Sequence, residues 1–287
     1  MYRTVLLNPG PVNISDKVRQ AMSLPDICHR EKEFSDLMNS IRSKLLYAFH
    51  IKEGFTSVLV SGSGTAALEM AVSSSLAPGK SMLVVENGVY GERIRKICDI
   101  YNLHHHTIKL DWGIPPDLEI IENKLKTQND IEIVSLVHHE TTTGLLNPLK
   151  PVGELAKKYG KIFLVDGISS IAGDEIDFTS IDLLVGTANK CLQGVPGVSF
   201  VLFRKQDLAR LTQIPARTLY FNLAAYHTAQ ETGGLLFTPA IPAHYALDAA
   251  LDELIEETVA GRIQRYAKAA KFLRDGFQKL NLEFLIP

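Results

Sequence analysis

Two side chains with catalytic potential, Asp166 and Lys190, follow predicted buried strands, Asp166 directly and Lys190 a few residues later. A carboxylate in such a place is costly unless it meets a cation or several hydrogen-bond donors; capping of the next turn is the alternative. Lys190 precedes a turn that contains Gly and Pro, so we expect it to point inward rather than to lie on the surface. A partly desolvated lysine loses its proton readily and can act as a nucleophile or a base.

Three further polar clusters also follow predicted strands. Residues 61–65, Ser-Gly-Ser-Gly-Thr, precede a helix. Such a loop can bind an anion at the helix N-terminus, or simply cap the helix. Tyr90, between glycines, could present its ring face to a planar ligand or serve only as a turn residue. Residues 138–144, His-His-Glu-Thr-Thr-Thr-Gly, form a hydroxyl-rich loop that could contact a substrate or cofactor. We expect no metal there, because adjacent histidines on a strand point to opposite faces and no further ligand follows at a familiar spacing.

The five clusters are expected to converge, because open α/β sheets bind ligands outside the carboxyl ends of their strands. Together they suit a phosphorylated pyridine aldehyde. The loop at residues 61–65 would hold the phosphate, Tyr90 would stack on the ring, Asp166 would pair with the pyridinium nitrogen, and Lys190 would form the Schiff base. Pyridoxal phosphate needs this set, since the carboxylate keeps the ring nitrogen protonated and makes the ring an electron sink.

The elements that must position these residues alternate between strand and helix, which predicts an α/β fold with helices on both faces of the sheet. Seven strands are predicted, at residues 57–60, 82–85, 105–110, 131–137, 162–165, 183–185 and 198–203. Helices are predicted at residues 64–75, 91–101, 118–126 and 152–159. The last two strands are too close for a helical crossover, so we expect them to be antiparallel in an otherwise mostly parallel, mixed sheet.

The composition excludes several classes of protein. Of the 287 residues, 46% are hydrophobic and 22% are charged, and the formal net charge is −2, as in an ordinary globular protein rather than a disordered one. The sequence has no basic stripe of the kind that indicates nucleic-acid binding, and it has no apolar run long enough to cross a membrane. Three cysteines without CxxC spacing, together with an N-terminus that lacks a signal-peptide pattern, predict a cytoplasmic protein with reduced thiols.

At these motifs the chain resembles the class V, fold-type I aminotransferases. The most specific stretches are Asn-Lys-Cys-Leu-Gln-Gly-Val-Pro-Gly at residues 189–197 and Glu-Thr-Thr-Thr-Gly at residues 140–144. Further similarity lies at residues 7–12, 27–31, 62–65, 87–91, 166 and 169–170. The resemblance runs from the N-terminus to about Leu254 and implies the large domain of a pyridoxal-phosphate-dependent transferase.

The resemblance assigns roles to individual residues. It implies that Lys190 is the Schiff-base lysine and that Asp166 pairs with the pyridine nitrogen. The other cofactor contacts that it implies are Ser63, Gly64 and Thr65 at the phosphate, Tyr90 and Ile168 on the two ring faces, and Thr141 at the phenolic oxygen. It also implies a homodimer in which Thr238 reaches the phosphate site of the partner subunit. Asn8 and Gly10 would line the substrate side, where Arg30 is a further candidate for a phosphonate or carboxylate, or an exposed ion-pairing residue.

Within the family, the resemblance is to members that act on phosphonates. It implies transfer of the amino group of 2-aminoethylphosphonate to pyruvate, which gives phosphonoacetaldehyde and alanine. Ile241-Pro242 stands where those members usually carry Thr-His, which keeps an alanine–glyoxylate or serine–glyoxylate activity open. Cys191 beside Lys190 raises a desulfurase-like activity as a further alternative, which is disfavoured because no catalytic cysteine on a mobile loop is evident.

Three regions are expected along the chain. Residues 1–15 would form an N-terminal arm that lines the pocket, and residues 16–241 the cofactor-binding domain. Residues 242–287 would hold a long connecting helix, over residues 243–276, and the start of a small C-terminal α+β domain, with a strand beginning at residues 280–286. The family continues past residue 287 into that small domain, which normally supplies an arginine to the substrate. A shortened homologue that binds the cofactor but transaminates weakly is therefore the alternative of a different class.

Overall fold

A seven-stranded mixed sheet organises the chain in the computed structural model, which describes residues 4–286. The strands, including two short ones in a separate hairpin, are β1 (Phe55–Gly62), β2 (Ser81–Glu86), β3 (His104–Lys109), β4 (Ile131–Val137), β5 (His139–Glu140), β6 (Leu145–Leu146), β7 (Ile162–Asp166), β8 (Leu183–Thr187) and β9 (Gly197–Arg204). The main sheet has the order β1-β9-β8-β7-β4-β2-β3, and β5 pairs with β6.

Strand directions confirm the predicted mixed topology. The strands from β3 to β8 in the sheet order run parallel, whereas β9 is antiparallel to both β1 and β8. The link between β8 and β9 is too short for a crossover helix. Lys190 lies in this link, so its position follows from the reversal of the chain between two buried strands.

Helices cover both faces of the sheet, as the alternating pattern predicts. Within residues 4–286 the α-helices are α1 (Asp16–Ala21), α2 (Lys32–Ala48), α3 (Gly64–Ser75), α4 (Val89–Ile100), α5 (Leu118–Thr127), α6 (Leu149–Lys158), α7 (Leu208–Leu211), α8 (Leu223–Glu231), α9 (Ile241–Glu257) and α10 (Val259–Lys279). The four predicted helices correspond to α3, α4, α5 and α6 with small shifts at their ends. Helices α1, α2, α7 and α8 have no counterpart among the predicted helices.

Two apolar clusters lie on opposite faces of the sheet. Alternate residues of β1 enter different clusters, with Leu59 in one and Val58 in the other, as the two-residue period of a strand requires. Helices α3 and α4 add Leu68 and Ile94 to the cluster with Val58, whereas α2 adds Phe34 to the cluster with Leu59. When a strand is buried on both faces in this way, a polar residue at its end must lie in a binding site or in a loop.

The structure corrects two predictions near the C-terminus. The expected single helix over residues 243–276 is divided at Thr258, which has a φ of 68° and whose Oγ1 accepts a hydrogen bond from the N–H of Gly261. This cap ends α9 and begins α10. Residues 280–286 form no strand: a turn at Leu280 and Asn281 follows α10, and no strand within the described part of the chain pairs with the segment. An unpaired strand has no ladder to stabilise it.

The predicted domain limits at residues 15/16 and 241/242 stay predictions, and residues 1–3 and 287 of the predicted terminal regions lie outside the described residues. Across residues 4–286, no helix combines the length and apolar character that a bilayer span requires.

Candidate functional site

Lys190 lies beneath the N-terminal segment of the chain. Its Nζ is 3.5 Å from the carbonyl oxygen of Pro9, and the N–H of Val12 donates to the carbonyl of Asn189 at 3.3 Å. A Cβ added to Gly10 would lie 2.7 Å from Lys190 Nζ, and Gly10 has a φ of +144°. Only glycine suits this close approach and this backbone conformation. Burial lowers the pKa of Lys190, and the nearby charge of Arg93 acts in the same direction.

The backbone beside Lys190 is fastened to two other elements. Cys191 Sγ lies 3.3 Å from the carbonyl oxygen of Ser169. Arg262 of α10, with 1% of its surface exposed, donates to the carbonyls of Cys191 and Leu192 at 3.1 Å each. Its charge is balanced by Glu257 at 2.7 Å. Sequence reasoning missed Arg262, because a single arginine in an amphipathic helix carries no sign of such a contact.

Asp166 ends β7 and is 1% exposed. Its Oδ1 accepts a hydrogen bond from the N–H of Ile168 at 2.9 Å, which is the turn-capping alternative of the sequence analysis. Its Oδ2 is buried and has no hydrogen-bond partner within the described residues. Burial raises the pKa of Asp166 to about 6. Because a buried polar atom without a partner is costly, the second oxygen indicates a ligand that donates a hydrogen bond.

Residues 63–65 form the start of α3, beside the end of β1. Ser63 is the N-cap residue, yet its side chain makes no capping hydrogen bond to the helix, so its exposed hydroxyl remains able to contact a ligand. A Cβ on Gly64 would lie 2.8 Å from Ile168 Cδ1, so glycine permits the Ile168 side chain to pack against this helix end. A helix N-terminus with free N–H groups attracts an anion.

Tyr90 lies in the first turn of α4, which Glu140 of β5 holds in place. The buried Glu140 carboxylate accepts hydrogen bonds from the N–H groups of Tyr90 and Gly91 at 3.2 and 3.3 Å, and from Thr142 Oγ1 at 2.6 Å. Tyr90 packs against the same apolar cluster as Ile168. Sequence reasoning missed Glu140, whose only signal was an acidic residue within a hydroxyl-rich loop.

We expect Glu140→Ala to lower the free energy of unfolding by about 1–3 kcal/mol, because the N–H groups at the start of α4 lose a charged acceptor. Urea denaturation measures this change. Glu140→Gln, which keeps one acceptor oxygen, is the matched control and should lose less stability. Equal stability of the alanine variant and the wild type would show that Glu140 does not hold Tyr90.

Arg93, also missed, reaches the same place from the next turn of α4. Its Nη1 donates to Thr65 Oγ1 at 3.1 Å, and its guanidinium carbon lies 4.5 Å from the centroid of the Tyr90 ring. The spacing of three residues places Arg93 and Tyr90 on one helix face, which is the signal that could have found it.

The remaining predicted site residues have fewer contacts with the site described above. Thr141 is half-buried and follows Glu140, and Asn8 is exposed two residues before Gly10. Thr238 is exposed and precedes Ala240, whose N–H donates to Ser61 Oγ at 3.0 Å near the start of α3. Arg30 is exposed and forms no hydrogen bond with the predicted site residues in the described part of the chain.

The two adjacent histidines have separate surroundings. His138 is buried, which lowers its pKa to about 4, whereas His139 Nδ1 lies 2.8 Å from Asp174 Oδ2, which raises its pKa. Among residues 4–286, no group of three or more His, Cys, Asp or Glu side chains is arranged to hold a metal ion.

The residues present fit pyridoxal phosphate. The unpartnered oxygen of Asp166 suits a protonated ring nitrogen, the start of α3 suits a phosphate, and Tyr90 supplies an aromatic face. Lys190 supplies a half-buried amine with a lowered pKa, as Schiff-base formation requires. The site thus combines an anion cradle, a buried carboxylate and a reactive amine.

Comparisons with known proteins agree with this chemistry. The family model described as aminotransferase class-V matches residues 16–283. A bifunctional phosphonoacetaldehyde hydrolase/aminoethylphosphonate transaminase of Clostridioides difficile is 37% identical over 98% of the chain, which spans 45% of that relative's length. A 2-aminoethylphosphonate–pyruvate transaminase of Salmonella schwarzengrund is 38% identical over 98% of the chain and 78% of its own length.

Among solved structures, an alanine–glyoxylate aminotransferase of a Nostoc species is similar over 100% of this chain and 77% of its own, with a TM-score of 0.93 and 29% identity.

Proposed function

The chain belongs to the class-V aminotransferase family, and from that premise we propose that it transfers the amino group of 2-aminoethylphosphonate to pyruvate. It is an enzyme of the transaminase type, and class-V aminotransferases depend on pyridoxal phosphate. The products of the proposed reaction are phosphonoacetaldehyde and alanine.

The choice of amino donor depends on one observation. Relatives whose names include an aminoethylphosphonate transaminase are 37% and 38% identical over 98% of the chain, whereas the alanine–glyoxylate aminotransferase, its structural neighbour, is 29% identical. That neighbour and the Ile241-Pro242 departure support alanine or serine with glyoxylate as the second candidate pair of substrates.

We assign the chemistry to the residues that surround Lys190. When bound, pyridoxal phosphate supplies an electron sink for the amine-bearing carbon of the donor. Lys190 Nζ would take the proton from that carbon as a base and return a proton as an acid, which its lowered pKa supports. Asp166 would hold the ring nitrogen in its protonated form. The arm at Pro9 and Gly10 covers Lys190 and would limit the access of water.

The other predicted residues keep roles that remain proposals. Ser63, Gly64 and Thr65 would hold the phosphate, Ile168 and Tyr90 would enclose the ring, and Thr141 would contact the phenolic oxygen. Asn8, Gly10 and Arg30 would face the substrate. Arg30 has the least support, because it is exposed and forms no hydrogen bond with the other predicted site residues in the described part of the chain. In the proposed division of the chain, residues 1–15 form the arm, 16–241 the cofactor domain, and 242–287 the connecting helices with the start of the small domain.

We further propose a homodimer in which Thr238 reaches the phosphate site of the partner subunit. Thr238 is exposed, and Leu219 in the preceding segment is 84% exposed. A large apolar side chain with this exposure is consistent with an interface to another protein chain. The three cysteines are all free, which supports a cytoplasmic location.

We expect the purified protein, loaded with pyridoxal phosphate, to turn over 2-aminoethylphosphonate with pyruvate at a kcat/KM at least about tenfold above alanine or serine with glyoxylate. Coupled assays of alanine or glycine formation measure this ratio, and β-alanine, which carries a carboxylate in place of the phosphonate, is the matched control donor. A reversed ratio would select the second candidate. Cofactor binding without turnover of any donor would instead identify a cofactor-binding homologue with weak activity.

A further inference from the structure

Arg93 of α4 reaches the start of α3 and forms no ion pair with a carboxylate of the described residues. The contact with Thr65 Oγ1 is its one hydrogen bond within residues 4–286, and no carboxylate lies within ion-pair distance of it in the described part of the chain. Its neighbour on the same helix, Arg95, contrasts with it, because Arg95 pairs with both Glu86 and Asp99 at 2.8 and 2.7 Å. Its charge acts on the Asp166 carboxylate only from beyond ion-pair distance. A half-buried guanidinium that forms no ion pair with a described carboxylate suits an anionic ligand.

The position of Arg93 identifies which anion it would meet. Thr65 belongs to the first turn of α3, where free N–H groups and the helix dipole already favour a negative charge. Within residues 4–286, Arg93 is the cationic side chain that hydrogen-bonds to residues 63–65. The contact with the Tyr90 ring at 4.5 Å limits where the guanidinium can lie, so less side-chain entropy is lost when an anion binds.

We propose that Arg93 is a specificity-determining residue of the cofactor site, whose guanidinium binds the phosphate held at residues 63–65 and so makes the site select pyridoxal phosphate over pyridoxal. This inference rests on the proposed function, because it requires that the cofactor's phosphate lies at the start of α3. It adds a cationic group to a cradle that otherwise consists of backbone N–H groups and hydroxyls. The contact of Arg93 with Thr65 thereby connects the N-terminal part of α4 to the first turn of α3.

The test compares the dissociation constants of pyridoxal phosphate and pyridoxal for the wild type, Arg93→Met and Arg93→Lys. A charge-assisted pair to phosphate is worth roughly 10- to 100-fold in affinity. We therefore expect Arg93→Met to bind pyridoxal phosphate 10- to 100-fold more weakly and to bind pyridoxal within about threefold of the wild type. Arg93→Lys keeps the charge without the planar two-pronged geometry, so it should lose an intermediate amount. Lys96→Met, an exposed cation of the same helix, is the matched control and should change neither constant.

Absorbance titration gives the constants without any assay of turnover. Equal weakening of both ligands by Arg93→Met would overturn the inference, because it would show that Arg93 acts only by placing Tyr90. Unchanged affinity for pyridoxal phosphate would overturn it as well. If Arg93→Met does not fold, the lysine variant alone decides, since an unchanged ratio of the two constants contradicts the proposed phosphate contact. A wild type that binds the two ligands equally would instead show that the phosphate site itself is wrong, which removes the proposed function and this inference together.

Discussion

Lys190→Ala is expected to abolish amino transfer and to remove the visible absorption that the protein gains with pyridoxal phosphate. With Lys190 in its proposed role, the variant loses both the amine that would bind the cofactor covalently and the base that would move the proton. Positioned proton transfer alone contributes about 10²–10⁴-fold to a rate, so we expect turnover to fall by at least that amount. Absorbance spectra of the loaded protein and single-turnover assays with 2-aminoethylphosphonate measure the two effects separately.

Two controls distinguish loss of chemistry from loss of folding. Lys161→Ala removes another half-buried lysine, whose Nζ donates to the carbonyl of Ile131 at 2.6 Å, and should leave the spectrum intact. Cys191→Ala changes the neighbour of Lys190 and should retain most of the activity if the thiol takes no part in the reaction. An added small primary amine should restore a fraction of turnover to Lys190→Ala by acting as the missing base. An unchanged visible spectrum in Lys190→Ala would contradict the assignment of the lysine.

Residues at strand ends were predictable from sequence, because a single local pattern places them. A polar side chain at or shortly after the end of a continuous apolar strand must lie at the edge of the sheet, which located Asp166 at the end of β7 and Lys190 in the link that follows β8. Helix α3 was likewise visible, since a Gly- and Ser-containing turn precedes an apolar helical stretch. In each case the physical constraint acts within about ten residues of the chain.

The supports of the site were not predictable, because they join segments that are distant in sequence. Arg93 meets Thr65 across 28 positions, Glu140 meets Tyr90 across 50, and Arg262 meets Cys191 across 71. No local pattern specifies such partners. The break at Thr258 was also hidden, since a positive φ at a β-branched residue is locally unfavourable and arises only where the surrounding structure imposes it.

The predicted strand at residues 280–286 failed for a related reason. Alternating apolar residues are compatible with a strand, but a strand forms only where a neighbour can complete its backbone hydrogen bonds. Within the described residues no such neighbour lies beside this segment, which follows the turn at the end of α10. Local sequence patterns therefore indicated where the candidate site residues lie better than they indicated the contacts that position those residues.

Asp166→Asn should combine a loss of activity with a gain of stability at neutral pH. Without the carboxylate proposed to pair with it, the ring nitrogen of the cofactor would no longer be held protonated, and we expect turnover to fall by about 10²-fold or more. The same carboxylate is costly in the cofactor-free protein, because burial raises its pKa from 3.8 to about 6. Below about pH 4 the group is protonated in both the folded and unfolded states, so this cost is absent there.

The pH dependence follows from proton binding. Between about pH 4 and pH 6 the folded state binds more protons at Asp166 than the unfolded state does, so the free energy of unfolding falls as the pH rises. A shift of this size corresponds to roughly 3 kcal/mol once both states are ionised. Asparagine does not titrate, so the stability of Asp166→Asn relative to the wild type should increase by up to that amount between pH 4 and pH 7. Urea denaturation of the cofactor-free proteins at the two pH values measures the change.

Asp207→Asn is the matched control, because Asp207 also has a buried Oδ2 without a partner and a pKa raised by burial, but it lies outside the site. It should shift the pH dependence of stability in the same direction while leaving activity and cofactor affinity unchanged. Added pyridoxal phosphate further distinguishes the effect of Asp166→Asn from that of Asp207→Asn. A cationic ring nitrogen compensates the carboxylate of Asp166, so at pH 7 the cofactor should stabilise the wild type and Asp207→Asn more than Asp166→Asn. If the cofactor stabilises all three proteins equally, Asp166 is a buried capping residue and does not pair with the ring.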